Sequence, residues 1–256
     1  MTYSRRDFTK LALAAGTLAL PSLRAAGAKP NSKVKGVHIG LNVPYSLKNP
    51  AMSGDDVLAA CRELGLSAVE LRTQPVEAFL GAPAQLVGAK AKVAVAGAAE
   101  SNTAQLRKWR ESAPVARAAE FRKKYEDAGV FIEIVKVDNL FKLSDAELDY
   151  SFTLAKALGA RAISSEISKS DDDLKRLGTF ADKHKMMVGY HGHATTTPEH
   201  WEKAFSFAKY NAANVDLGHF VAGNDVSVVD FVRKHHARIT HVHVKDRKSK
   251  ANGGAN

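Results

Sequence analysis

The sequence predicts an α/β fold: a TIM (β/α)8-type barrel lacking its eighth strand–helix unit within 256 residues. Three observations lead there. From residue 34 onward, short apolar runs alternate with helical segments, a rhythm that implies parallel strands joined by crossover helices. No glycine-rich phosphate loop follows the first of these runs, so the signature of a nucleotide-binding open sheet is missing. Polar, metal-competent residues fall at the carboxyl ends of at least four runs, which is where a parallel barrel builds its site.

Taken in order, residues 34–41 read as a first strand and 54–64 as a helix closed by Gly65. Residues 68–72 are a second strand. The glycine- and alanine-rich stretch 81–99 fits no element, and one long helix is expected over 103–128, stopped by Gly129. Residues 130–137 form a third strand. Ser144 and Glu147 then have the spacing of a capping box, which opens a helix running to Leu158 and ending at Gly159. A fourth strand over 161–166, a helix over 171–184 and a fifth strand over 187–193 follow. The rest reads as a helix at 198–210, a strand at 213–217, a helix at 227–236 and a seventh strand at 239–244.

The ends of the chain read differently. Ser4-Arg5-Arg6-Asp7-Phe8-Thr9-Lys10 precedes a mildly apolar run over 11–23 and the small-residue pattern Ala26-Gly27-Ala28. This is the layout of a twin-arginine export signal over 1–28, with Thr9 where Leu is usual. The run is short for a membrane span, so the expectation is a periplasmic or secreted protein without a stable membrane anchor. The barrel is assigned to 33–246. Residues 247–256 form a loop-like tail where an eighth unit should begin, so the chain is expected either to be truncated or to pair its open edge with another chain as a homo-oligomer.

Composition narrows the partners. The net charge of +10 is dispersed between the leader, the tail and a segment where Arg107, Lys108, Arg110 and Arg117 interleave with Glu111 and Glu120. The basic residues are spread over separate segments and interleaved with acids as on a solvated helix face, so nucleic acid is not an expected partner. A single cysteine, Cys61, excludes an internal disulfide and a cysteine-based metal cluster.

The chemistry concentrates in three apolar runs. Met187-Val188-Gly189-Tyr190-His191-Gly192-His193 ends in two histidines that alternation would place on one face. Asn214-Val215-Asp216-Leu217-Gly218-His219 and Ile239-Thr240-His241-Val242-His243-Val244-Lys245-Asp246 repeat the pattern. Glu70 ends the second strand and reads as a substrate-side group, with a structural ion pair as the alternative. Glu166 ends the fourth and is open as a ligand, a base or a loop carboxylate. His193 and His241 are open as substrate-binding groups or as supports bonded to the backbone.

Gly-Tyr-His-Gly-His at 189–193, Val-Asp-Leu-Gly-His at 215–219 and His-Val-His-Val-Lys-Asp at 241–246 resemble the sugar phosphate isomerase/epimerase family with its xylose-isomerase-like barrel. With the leader, the chain is similar to exported members that act on sugars or oxidised glycosides. The resemblance implies one divalent metal ion held by His191, Asp216 and His243, with His191 standing where many relatives have Glu. It also implies a carboxylate on the eighth strand, which this sequence does not contain. Glu166, His219 and Lys245 become the catalytic candidates, and Glu70, His193, His241 and Arg247 the substrate-binding ones. Mixed O/N ligation suits Mn, Zn, Co or Fe better than Mg.

The implied activity is proton abstraction beside the carbonyl of a small-molecule carbohydrate: isomerisation, epimerisation or β-elimination of a keto-glycoside. Two other readings stand beside it. One is a non-catalytic or incomplete sugar-binding barrel; the other is a phosphodiesterase of the abasic-site endonuclease type, which calls for more ligands than the sequence assigns.

Overall fold

The computed structural model describes residues 28–49, 51–87 and 101–254. The predicted leader lies outside them apart from Ala28, as does most of the unplaced stretch 81–99. An antiparallel hairpin, β1 (Lys33–Val34) and β2 (Val37–His38), precedes seven strands that form one parallel sheet in chain order. These are β3 (Gly40–Val43), β4 (Ala68–Arg72), β5 (Phe131–Lys136), β6 (Ala162–Glu166), β7 (Met187–His191), β8 (Asn211–Asp216) and β9 (Ile239–His243). The sheet curls so far that Glu70 on β4 reaches His243 on β9, 2.7 Å away, although four strands lie between them. This is the seven-stranded α/β half-barrel that the strand–helix rhythm implies.

Helices α1 (Gly54–Glu63), α2 (Thr73–Phe79), α3 (Asn102–Glu111), α4 (Ala118–Asp127), α5 (Asp145–Ala157), α6 (Asp171–His184), α7 (Pro198–Phe207), α8 (Leu217–Gly223) and α9 (Val228–His235) connect and cover the strands. Alternate strand residues, among them Val69, Leu71, Val135, Ile163, Val188, Tyr190 and Val215, form one apolar cluster with Phe121, Leu148, Leu154, Leu174, Leu177 and Trp201 of the helices. Period-2 alternation thus sends apolar side chains outward to the helices and leaves the inner face to the polar set. The capping box at Ser144 and Glu147 is formed, and α6 starts and ends where its pattern says.

Three expectations fail, each for a local reason. The single strand expected over 34–41 is a hairpin followed by β3, because Lys35 and Gly36 both take positive φ (48° and 86°) and turn the chain back. The single helix expected over 103–128 is two, α3 and α4, parted by Pro114. Proline offers no N–H to the helix ladder and disfavours the helical conformation at the residue before it. The strand expected to end at Leu217 ends at Asp216, and a helix not expected there follows: Leu217 starts α8, capped by the Asp216 carboxylate accepting the His219 N–H at 3.0 Å.

Two irregularities in the ladder shape the inner face. Between β4 and β5 the register passes from Val69 opposite Ile132 to Glu70 opposite Ile134, which leaves Glu133 as an extra residue. Between β8 and β9 it passes from Ala213 opposite Ile239 to Asn214 opposite His241, which leaves Thr240 extra. A bulge breaks the strict alternation and re-aims the side chains that follow. Thr240 packs against Gly189 on the inner face, where a Cβ would collide with its hydroxyl, and His241 faces inward as well.

Candidate active site at the carboxyl ends of the strands

The carboxyl ends of β4 to β9 converge on one mouth, and each contributes a charged or titratable side chain. Glu166 at the end of β6 accepts from three neighbours: Lys136 Nζ at 2.7 Å, His191 Nδ1 at 3.1 Å and His193 Nε2 at 2.7 Å. Lys136 is only 3% exposed, so it stands as a buried cation whose partner is this carboxylate. Burial alone would raise the Glu166 pKa. The hydrogen bond from His191 and the Lys136 charge outweigh it and hold the group far below the usual carboxylate range. Glu166 and His193 are the half-open part of the cluster, 50% and 54% exposed.

Asp216, at the end of β8, is fully buried. Its Oδ2 accepts from Lys245 Nζ at 2.5 Å and lies 3.4 Å from His191 Nε2 and 4.0 Å from His243 Nδ1, while Oδ1 caps α8. Burial would raise its pKa, but His191, Lys245 and the His219 N–H together depress it strongly. His191 shows the reciprocal effect. Burial works against its charge, yet Asp216 and Glu166 on its two nitrogens raise its pKa. His219 moves the other way, lowered by burial and by the positive neighbours Lys245, His193 and Arg247 against the pull of Asp216. Arg247 donates to His219 Nδ1 at 2.8 Å, which leaves the proton of the neutral ring on Nε2.

A third cluster centres on Glu70. Its Oε2 lies 2.7 Å from His243 Nε2 and its Oε1 3.5 Å from His241 Nε2. Burial lowers the pKa of His241, which favours its neutral ring. Three sets of three donors therefore stand close enough to hold a cation, with donor atoms within 4.8 Å of one another: His191, Asp216 and His243; Glu166, His191 and His193; Glu70, His241 and His243.

With this geometry in view, two solved structures are similar to the chain. One is a xylose isomerase domain protein from Planctomyces limnophilus, at 15% identity over 82% of this chain and 74% of that one, TM-score 0.52. The other is the probable 3-DHS dehydratase AsbF involved in petrobactin synthesis from Bacillus anthracis, at 13% identity over 84% of this chain and 75% of that one, TM-score 0.58. The chain shares their fold. No family model matches the sequence, and no curated protein does.

All ten residues singled out by sequence lie around this mouth. Glu70 is buried among histidines at β4, and His193 lies two residues beyond the end of β7 rather than on it. Arg247 folds back from the tail to reach His219 and the Gly254 carbonyl. Sequence reasoning overlooked Lys136, Thr240 and Asn214. Lys136 had a usable signal, since a lysine within the apolar run of β5 is buried only where a partner waits for it. Asn214, whose Nδ2 reaches Ser164 Oγ at 3.3 Å and His243 Nε2 at 3.4 Å, had none.

Proposed function

We propose that the chain is a divalent-metal-dependent carbohydrate enzyme that removes a proton beside a carbonyl. Isomerisation, epimerisation and β-elimination of a keto-glycoside all begin with that step. The observation carrying this reading is the pairing of an N/O donor set, buried His191 and Asp216 with half-buried His243, with a half-open Glu166–His193 pair beside it. The names of the two similar structures agree with it, one a xylose isomerase domain protein and one a probable dehydratase.

The donor set suits a divalent ion on its own chemistry. His191 gives Nδ1–H to Glu166 and turns Nε2 toward Asp216, the arrangement in which a carboxylate fixes a ligating imidazole in the required tautomer. The Lys245 ammonium already sits against Asp216 Oδ2, so that carboxylate is built to face a cation. His191, Asp216 and His243 would hold the metal, with Mn, Zn, Co or Fe fitting mixed O/N donors. When bound, such an ion polarises a substrate carbonyl or hydroxyl.

The remaining roles belong to the chain. Glu166 stays ionised and orients His193, whose ring faces the mouth and moves the proton. His219 offers Nε2–H, and Lys245 and Arg247 offer cations to substrate oxygens. The substrate is a small carbohydrate and not a nucleic acid.

Incubating the protein with Mn²⁺ or Zn²⁺ and a panel of sugars and keto-glycosides in D₂O tests this directly. Metal-dependent deuterium uptake at the carbon next to the carbonyl is expected by NMR. His193→Ala should lower it by about 10²- to 10⁴-fold, the usual contribution of a positioned acid–base group, while retaining the metal. Uptake unaffected by chelator, or undiminished in His193→Ala, would defeat the reading. For the leader we propose export, and replacing Arg5 and Arg6 with Lys should hold the precursor in the cytoplasm; undiminished export would defeat that proposal.

A further inference from the structure

We propose that Glu70, His241 and His243 form a second divalent-metal position, beside the set centred on Asp216 and joined to it through the His243 ring. The first observation is an accounting of protons. Thr240 Oγ1 donates its hydrogen to the Ala213 carbonyl at 3.1 Å, so toward His241 Nδ1, 2.9 Å away, it can only accept. That puts the proton of the neutral His241 ring on Nδ1 and leaves a bare lone pair on Nε2. This lone pair faces Glu70 Oε1 at 3.5 Å, and both atoms are buried without a hydrogen-bond partner. Two acceptors directed at each other in a water-poor interior repel unless a cation lies between them.

The second observation is charge. Among the described residues four carboxylates are buried: Glu70, Glu77, Glu147 and Asp216. Arg110 bridges Glu77 and Glu147, and Lys245 meets Asp216. Glu70 has no lysine or arginine within ion-pair distance among the described residues, only the two imidazoles. A carboxylate that serves merely to orient His243 would need Oε2 alone, and the confrontation of Oε1 with His241 would remain unexplained. The third observation is the backbone. The bulges at Glu133 and Thr240 interrupt the ladder beside Glu70 and His241, the devices by which a sheet re-aims side chains at a site.

His243 ties the two positions together. Its Nε2 faces Glu70 at 2.7 Å and its Nδ1 faces Asp216 at 4.0 Å, so one ring presents a nitrogen to each set; a neutral imidazole has one lone pair, so with both ions bound the ring would bridge them as the imidazolate and its proton would pass to solvent. The chemistry of one carboxylate and two imidazoles selects a borderline transition ion such as Zn²⁺ or Co²⁺ over Mg²⁺ or Ca²⁺.

The test is a titration of the whole, chelator-stripped protein with Zn²⁺ and, for its absorption spectrum, Co²⁺. The wild type is expected to take up two equivalents. His241→Phe, which keeps a ring in place, and Glu70→Gln, close to the native shape, should each lose one equivalent and keep the other; thermal melts confirm that both remain folded. Asp216→Asn should lose the opposite equivalent. If His241→Phe and Glu70→Gln bind as much metal as tightly as the wild type, the cluster is a hydrogen-bond network and the inference fails, whatever Asp216→Asn does. If instead Asp216→Asn keeps every equivalent while His241→Phe loses one, the inference stands and the ligand set of the proposed function fails. Uptake of no metal at all overturns both.

Discussion

Replacing Asp216 with Asn is expected to weaken Mn²⁺ or Zn²⁺ binding at the His191–Asp216–His243 set by well over the ~10–100-fold that outer hydrogen-bond partners of a metal site cost. Asp216 supplies the sole carboxylate of that set, and Oδ2 is the atom His191 Nε2, His243 Nδ1 and Lys245 Nζ surround. Asn preserves the shape and leaves a carbonyl oxygen to accept the His219 N–H, so the cap of α8 survives and the loss reports charge rather than unfolding. A competition titration against a chromophoric chelator measures the change. An affinity within threefold of the wild type would remove Asp216 from the metal site.

The residues of that set were legible because strand periodicity and strand ends are local properties. His191, Asp216 and His243 each close an apolar run, and in a parallel sheet all such ends point to one mouth. The capping box at Ser144 and the limits of α6 were legible for the same reason: the interactions that fix them lie within four residues. Pro114 could have been read as well, since the chemistry that splits α3 from α4 belongs to that residue alone.

The meeting of Glu70 with His243 was beyond a sequence reading. It joins residues 173 apart and depends on how far the sheet curls and on two bulges whose positions follow from packing between strands. The same holds for tautomers. Nothing near His241 in sequence says that its Nδ1 meets Thr240 while the Thr240 hydroxyl is spent on Ala213; only the bulge brings both about. The candidate site lies where these non-local terms decide, which is why its residues are legible in the sequence and their contacts are not.

The largest effect on stability is expected at Arg110. Its guanidinium donates to Glu77 Oε1 at 2.8 Å and to Glu147 Oε1 at 3.0 Å, and those two carboxylate side chains are 1% and 2% exposed. Glu147 would keep the Ser144 N–H and Arg107 after Arg110→Ala, whereas among the described residues Glu77 would keep only the Tyr150 hydroxyl at 3.4 Å. An uncompensated buried charge of this kind costs about 3–5 kcal/mol, a large part of the ~5–15 kcal/mol that holds a domain folded. Two further measurements separate that cause from lost packing. Adding Glu77→Gln to Arg110→Ala should recover part of the loss, because the orphaned charge is gone. Removing Arg122, whose partner Glu126 lies one turn away on an exposed helix face, should change stability by no more than ~0.5 kcal/mol. The pH dependence has a defined sign: burial would raise the Glu147 pKa, but Ser144, Arg110 and Arg107 lower it below its unfolded value. Its contribution is therefore complete above the ordinary carboxylate range and is lost as pH falls through the depressed folded value, and the wild type should lose it at lower pH than the Arg110 variant. Urea midpoints across that range decide the matter, and an Arg110→Ala cost below about 1 kcal/mol would show that the two carboxylates find other partners.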